Sequence, residues 1–334
     1  MLVFTFFTKL LHYFPSEISH HIALKGLKFL YILGLFKLFK IKQNTCSYPD
    51  DRNILKISNK LGIAAGLDKN GDYIDCLAAL GVGFIEVGTV TPRPQKGNSK
   101  PRIFRNKTEK SLLNRLGFNN KGVEYLVERL KQRKTKIIIG SSIGKNFDTP
   151  NNKASQDYIF CLEKVYEYSD YIAVNISSPN TKDLRELSNI EYLDTLLNNI
   201  KKKQEDLSAV HGYKPIFIKI SPDESSEDLK AICNSISANK LDGVICSNTT
   251  SEHKDNNGSG GLSGTPLKLK AAASLEKIRG FLGSNIPIIA SGGIMSVEDY
   301  IERMDMGADF VQIYTGFIYE GPKLIEDINN HHSE

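Results

Sequence analysis

Nothing in this 334-residue chain is spaced to hold a metal. Its five cysteines, Cys46, Cys76, Cys161, Cys233 and Cys246, lie far apart with no CxxC pair, and no histidines cluster at ligand spacing. That argues against a structural metal or an iron–sulfur cluster, and for a reducing compartment. A stripe of like charge is missing too. The formal net charge is +5, yet from residue 42 onward Lys and Arg are scattered among acids, which argues against a nucleic-acid partner. Residues 1–41 hold five Lys against one Glu, so the excess belongs to the N-terminus. No apolar run there approaches the ~20 residues of a membrane span, residues 29–36 being the longest uncharged part of its second helix. Nor is a secretory signal written there: no Lys or Arg precedes residues 1–7, and no small-residue cleavage site follows.

What residues 1–41 do carry is apolar surface. Two short helices broken at Pro15 are expected, with Ser16 capping the second and Glu17 favourable in its first turn. Leu10, Leu11, Phe14, Ile18 and Ile22, then Leu27, Leu30, Tyr31, Leu33, Leu35, Phe36 and Phe39, exceed what a helix facing one core needs. The expectation is a segment that lies on a membrane without crossing it, the alternative a helix pair packed on the core.

From residue 61 a strand-then-helix rhythm sets in. Short apolar strands are expected at 61–65, 84–87, 137–143, 171–176, 216–220, 243–246, 286–290 and 310–313, with helical patterns between them. Eight such units predict an α/β fold, a (β/α)8 TIM barrel over residues 42–334 behind an N-terminal two-helix extension at 1–41; a doubly wound open sheet is the alternative. Residues 93–118 and 251–264 are long insertions after strands, and on a barrel such loops overlie the catalytic face as candidate lids.

If the barrel closes, the residues that follow each strand converge. The fourth strand delivers Asn175, Ser177, Ser178, Asn180 and Thr181: amides and hydroxyls without a charge, suited to a planar ligand with carbonyl and N–H groups. The bland reading is an Asn/Ser/Pro turn. Ser291-Gly292-Gly293 and Tyr314-Thr315-Gly316 follow the seventh and eighth strands, where barrels commonly cradle a phosphate. Lys69 and Lys219 also sit at strand ends. Each either neutralises a carboxylate such as Asp68, forms a Schiff base, or faces an electron-rich ring or a substrate carboxylate. No His, Glu or Cys stands at a strand end as a base, and Cys246 should point away by strand alternation. Ser178 is then the best candidate base, with Thr181 and a water as its relay.

Ten stretches, in order, resemble dihydroorotate dehydrogenases: Ala65-Gly-Leu-Asp-Lys69, Glu86-Val-Gly-Thr-Val-Thr-Pro-Arg-Pro-Gln95, Asn114-Arg-Leu-Gly-Phe-Asn-Asn120, Ile143-Gly-Lys-Asn146, Asn175-Ile-Ser-Ser-Pro-Asn-Thr181, Ile218-Lys-Ile220, Ser247-Asn-Thr-Thr250, Gly260-Gly-Leu-Ser-Gly264, Ser291-Gly-Gly-Ile294 and Gln312-Ile-Tyr-Thr-Gly316. They span nearly the whole chain. Pro15-Ser-Glu-x-x-x-His20 in an apolar extension, with serine in the Asn-x-Ser-Ser-Pro-Asn loop, resembles class 2, the membrane-associated, quinone-reducing class. Class 1 enzymes lack the extension and use cysteine as base.

The resemblance implies FMN in the barrel mouth, held by Ala65, Gly66, Lys69 and Thr89, by Ser142, Asn175 and Lys219, and by Ser247, Gly264, Gly293, Tyr314 and Thr315. It implies dihydroorotate or orotate on Lys69, on Asn114, Arg115, Leu116, Gly117 and Phe118, and on Asn175, Asn180, Asn248 and Thr249. Ser178 is implied as the base for C5, with Thr181 and Phe118 in its proton relay, and a membrane quinone is implied near His20 and Arg105. A monomer on the cytoplasmic face of a bacterial inner membrane, or on the mitochondrial inner membrane of a eukaryote, would follow, acting in pyrimidine biosynthesis. Two positions depart from the family: Ser142 replaces its usual Asn, and Ser247 a common Thr. The rivals are a class 1-like enzyme with a soluble acceptor, a Schiff-base aldolase on a phosphate-binding barrel, and a non-catalytic membrane-recruited module.

Overall fold

Short strands that are apolar on both faces can be buried only where other elements cover both sides, and a parallel sheet wrapped by helices supplies that. A computed structural model describes residues 7–8, 10–38, 53–57, 59–181 and 184–331. In chain order its strands are β1 (Leu61–Ile63), β2 (Phe84–Val90), β3 (Ile103–Asn106), β4 (Ser111–Asn114), β5 (Ile138–Ile143), β6 (Tyr171–Asn175), β7 (Ile216–Ile220), β8 (Gly243–Cys246), β9 (Gly261–Gly264), β10 (Ile288–Ser291) and β11 (Phe310–Ile313). Eight close into a parallel barrel in the order β1-β11-β10-β8-β7-β6-β5-β2. The expected strands are all present: those at 216–220, 243–246 and 310–313 match to the residue, and the ends of the others shift by one to three residues.

Among the described residues, 7–8 and 10–11 are helical, and the helices from Pro15 onward are α1 (Ser16–Ile32), α2 (Ile74–Ala78), α3 (Val123–Gln132), α4 (Ala154–Val165), α5 (Ile190–His211), α6 (Ser226–Ala238), α7 (Lys268–Leu282), α8 (Val297–Asp305), α9 (Thr315–Glu320) and α10 (Pro322–His331). In α6 and α8 the serines Ser225 and Ser296 accept from the amides of Asp228 and Asp299, satisfying a first-turn donor.

Strand alternation organises the barrel interior. Phe84, Tyr171, Phe217 and Phe310 point inward at one level and meet edge to face, Tyr171 and Phe217 with ring centroids 5.5 Å apart. A side chain opposite these rings would collide: a Cβ on Gly140 would lie 2.0 Å from Tyr171 Cζ. Leu55 and Ile57 join this cluster. Two residues further along the strands, on the same face, come Glu86, Lys219 and Gln312. The barrel is therefore sealed by aromatics at one level and polar above it.

The two insertions hold structure that turn-like composition hides. Strands β3, β4 and β9 form a separate antiparallel sheet, with Ser111 opposite Gly264 and Asn114 opposite Gly261. Residues 93–118 and 251–264 are thus paired with each other and not two independent flaps.

Ser16 does not cap α1. It is the first helical residue; Pro15 occupies the cap position and no side chain accepts there. Pro15 fits because its fixed φ suits a helix start and it lacks the amide that would need a partner. Glu17 lies in the first turn as expected, its Oε1 accepting from Arg102 Nη2 at 2.8 Å. Among the described residues no helix is long and apolar enough to cross a membrane. Phe39, Cys46 and the 41/42 boundary lie outside the described residues.

Candidate active site

The carboxyl ends of the barrel strands surround a cavity of about 970 Å³, part of it open to solvent. Its wall contains Ala65, Gly66, Lys69 and Thr89; Asn114, Leu116, Gly117 and Phe118; Asn175, Ser178, Asn180 and Lys219; Ser247, Asn248 and Thr249; and Gly264, Gly293, Tyr314 and Thr315. Most residues singled out from sequence are therefore brought together. Ser263, Leu267, Ile294 and Gln312 line it as well. Gln312 had a signal, a lone amide inside the apolar β11.

Hydrogen bonds that reach across the barrel mouth, beyond adjacent strands, fix the amide wall. Asn175 Nδ2 donates to Thr89 Oγ1 at 3.0 Å, and its Oδ1 accepts from Asn248 Nδ2 at 3.3 Å. Asn180 Nδ2 donates to Asn114 Oδ1 at 3.0 Å, and Asn114 Nδ2 to the Gly261 carbonyl at 3.0 Å. The small sheet thus holds one substrate-side asparagine and, through it, a second. Ser178 Oγ accepts from the Asn180 amide at 3.3 Å, while Ser177 Oγ donates to the Lys219 carbonyl at 2.7 Å. The loop carrying Ser178 is consequently tied to β7.

The two strand-end lysines differ. Lys69 Nζ donates to Asn119 Oδ1 at 2.8 Å, and desolvation followed by the nearby Arg102 cation holds its pKa down to about 7. It does not serve Asp68, whose carboxylate accepts from the amides of Asp72 and Tyr73 and is pushed up to about 6 by burial. Lys219 Nζ instead lies 3.7 Å from Glu86 Oε1, so a structural neutralising partner exists for it, at a residue that sequence reading passed over.

The remaining candidates lie off this wall. Ser142 is fully buried, its hydroxyl 2.9 Å from Thr89 Oγ1. The Asn146 amide, close by in sequence, is engaged with Thr91, Arg93 and Gln95. Thr181 and Arg115 border a second cleft beyond the serine loop, with Asn180 common to both spaces. Thr181 Oγ1 is buried without a partner, and the Arg115 guanidinium lies 4.8 Å over the Phe104 ring. Arg105 donates to the His12 carbonyl at 3.2 Å. His20 sits on α1, and desolvation, then the charges of His21 and Lys69, hold its pKa down to about 4. Cys246 faces α7, where burial pushes its thiol up to about 12.

The wall fits a flavin nucleotide. Gln312 Oε1 is buried with no partner, an acceptor awaiting a donor, and Lys219 adds a cation beside it. At the other end Gly293 adopts φ +75°, where a Cβ would lie 2.3 Å from Lys268 Cα, so only glycine lets this turn sit against the start of α7.

Residues 53–333 match the family model described as dihydroorotate dehydrogenase. The chain is 47% identical over 327 residues to a dihydroorotate dehydrogenase (quinone) of Shewanella sediminis, with 96% of each covered. It is 46% identical over 320 residues to one of Vibrio parahaemolyticus, covering 94% of this chain and 95% of that one. Among solved structures it resembles DHODH of Eimeria tenella in complex with ferulenol: TM-score 0.84, 31% identity, 95% of this chain and 90% of the other.

Proposed function

The chain belongs to the dihydroorotate dehydrogenase family, and from that premise we propose how its mouth carries out the family's reaction, with FMN as the group bound there. The enzyme oxidises dihydroorotate to orotate, with a quinone as final electron acceptor, in pyrimidine biosynthesis. The observation that carries the assignment to this cavity is Ser178 on a wall whose polar groups are mainly asparagine amides and hydroxyls, with two lysines, Lys69 and Lys219.

When bound, FMN would supply a hydride acceptor for C6 and a store of electrons for the quinone. Asn175, Lys219, Ser247 and Gln312 would hold its ring, and Gly264, Gly293 and Thr315 its phosphate end. The protein's own residues do the rest. Lys69 faces the substrate carboxylate, and Asn114, Asn180, Asn248 and Thr249 match the carbonyl and N–H edges of a dihydropyrimidine. Ser178 Oγ takes the C5 proton. Thr181, with its unpartnered hydroxyl, is the next carrier, and Phe118 screens that path from bulk water.

Exposed apolar residues on and around α1, among them Phe14, Ile18, Ile22, Phe29 and Ile32, support membrane association through this segment, with the quinone approaching between it and the barrel near His20 and Arg105. One experiment tests the core of the reading. The purified protein should be yellow, and anaerobic dihydroorotate should bleach its flavin absorbance; a protein that takes up FMN but is not bleached would overturn it.

A further inference from the structure

Behind the cavity wall, Arg185 ties together two loops that approach the substrate from different strands. Its Nε donates to the Ser177 carbonyl at 3.2 Å, one residue before the base, and its Nη2 donates to the Thr249 carbonyl at 3.1 Å. The third nitrogen, Nη1, donates to Asp223 Oδ2 at 2.9 Å and Ser251 Oγ at 2.8 Å. Asp223 is itself an anchored group. It accepts from the Ser251 amide at 2.7 Å, from Lys270 Nζ at 2.6 Å and from Thr250 Oγ1. The guanidinium is therefore fixed from behind and spends its two remaining edges on backbone carbonyls of the serine loop and of the loop after β8.

We propose that Arg185 is a positioning residue for proton abstraction: its planar fork fixes the distance between Ser178 and the Asn248–Thr249 side of the substrate site. The inference rests on the reading of Ser178 as base. Arg185 is not part of the cavity wall, so it acts only through what it holds. Three donors in one plane are needed, and a lysine, with a single point of charge, cannot span both carbonyls and Asp223. A displacement of about 1 Å at a reacting group can cost on the order of 10²-fold in rate.

The test compares wild type with Arg185→Lys and Arg185→Ala, as FMN-loaded full-length enzymes, by rapid-mixing flavin reduction using dihydroorotate deuterated at C5 or at C6. Wild-type reduction checks the underlying reading by itself. Arg185→Lys should retain FMN and lose roughly 10- to 100-fold of the reduction rate. Its isotope effect from C5 deuterium should rise while that from C6 does not, because only the proton-transfer partner has been misplaced. Guanidinium ion in solution should restore part of the rate in Arg185→Ala; if that variant does not fold, the lysine variant alone decides. A rate within threefold of wild type, or a loss with both isotope effects unchanged and weaker orotate binding, would overturn the proposal and leave Arg185 as a brace for the fold.

Discussion

Glu86 and Lys219 face each other inside the barrel, Oε1 3.7 Å from Nζ, the carboxylate fully enclosed. The other oxygen accepts from Gln312 Nε2 at 2.8 Å and from Tyr171 Oη at 3.1 Å. A buried carboxylate needs its charge matched: Gln312 and Tyr171 occupy one oxygen, while Lys219 supplies the counter-charge beside the other, which accepts no hydrogen bond. The acid therefore belongs to the floor of the mouth and not to its chemistry.

Glu86→Gln should accordingly destabilise the protein. The lysine would be left buried without its counter-charge and an amide N–H₂ would face other donors, a loss of about 3 kcal/mol or more. Thermal unfolding should drop by roughly 5–10 °C. Tyr171→Phe removes one of the two donors and should cost about 1 kcal/mol. Equal melting temperatures for wild type and Glu86→Gln would contradict the pairing.

Ser178→Ala leaves the asparagine wall intact and removes the proton acceptor. Orotate binding and FMN content should stay near wild type while flavin reduction slows by ~10² to 10⁴-fold. Rapid mixing measures this directly, and a rate within tenfold of wild type would remove Ser178 from its role.

Lys69 gives a pH dependence of definite sign. In the ligand-free protein it loses its proton as the pH rises through about 7, whereas a bound carboxylate requires the cation. Above that pH, binding must therefore take up a proton, and the Kd of orotate should climb toward tenfold per unit, being flat below about pH 6. Lys69→Gln should bind weakly and without this slope. Calorimetric titration across pH 6 to 9 checks both, and a flat wild-type profile would refute the assignment.

Removal of residues 1–41 should spare the first half-reaction. The barrel mouth does not include α1, and Arg102 keeps the carbonyls of Lys96 and Asn98 when Glu17 is lost. Flavin reduction by dihydroorotate should persist while turnover with a long-chain quinone falls steeply. Undiminished turnover would show that the helices only pack on the barrel.

The barrel was legible because its strands are short, apolar on both faces and evenly separated by helices, a pattern with few solutions. Most of the mouth followed, since alternation dictates which residue emerges at each strand end. Three things stayed hidden for physical reasons. The strands Ile103–Asn106, Ser111–Asn114 and Gly261–Gly264 are four residues each, too short to show a period, and the third joins the hairpin of the first two from far along the chain. Glu86 reads as one letter in a motif, and only the closed barrel shows that it faces Lys219. Arg185 lies outside the lining of the barrel mouth, and its importance lies in backbone carbonyls that carry no residue signature.

The contact between β4 and β9 also sets an order of events during synthesis. Asn114 and the Gly261 carbonyl that orients it are 147 residues apart, so a ribosome extrudes one well before it makes the other. No N-terminal fragment ending before Gly264 can own a finished mouth, however complete its first strands. Ligands add to stability only where the native site exists, so neither cofactor nor substrate can favour the nascent chain until that closure is made. Loading with cofactor is then a late step that follows release of most of the barrel.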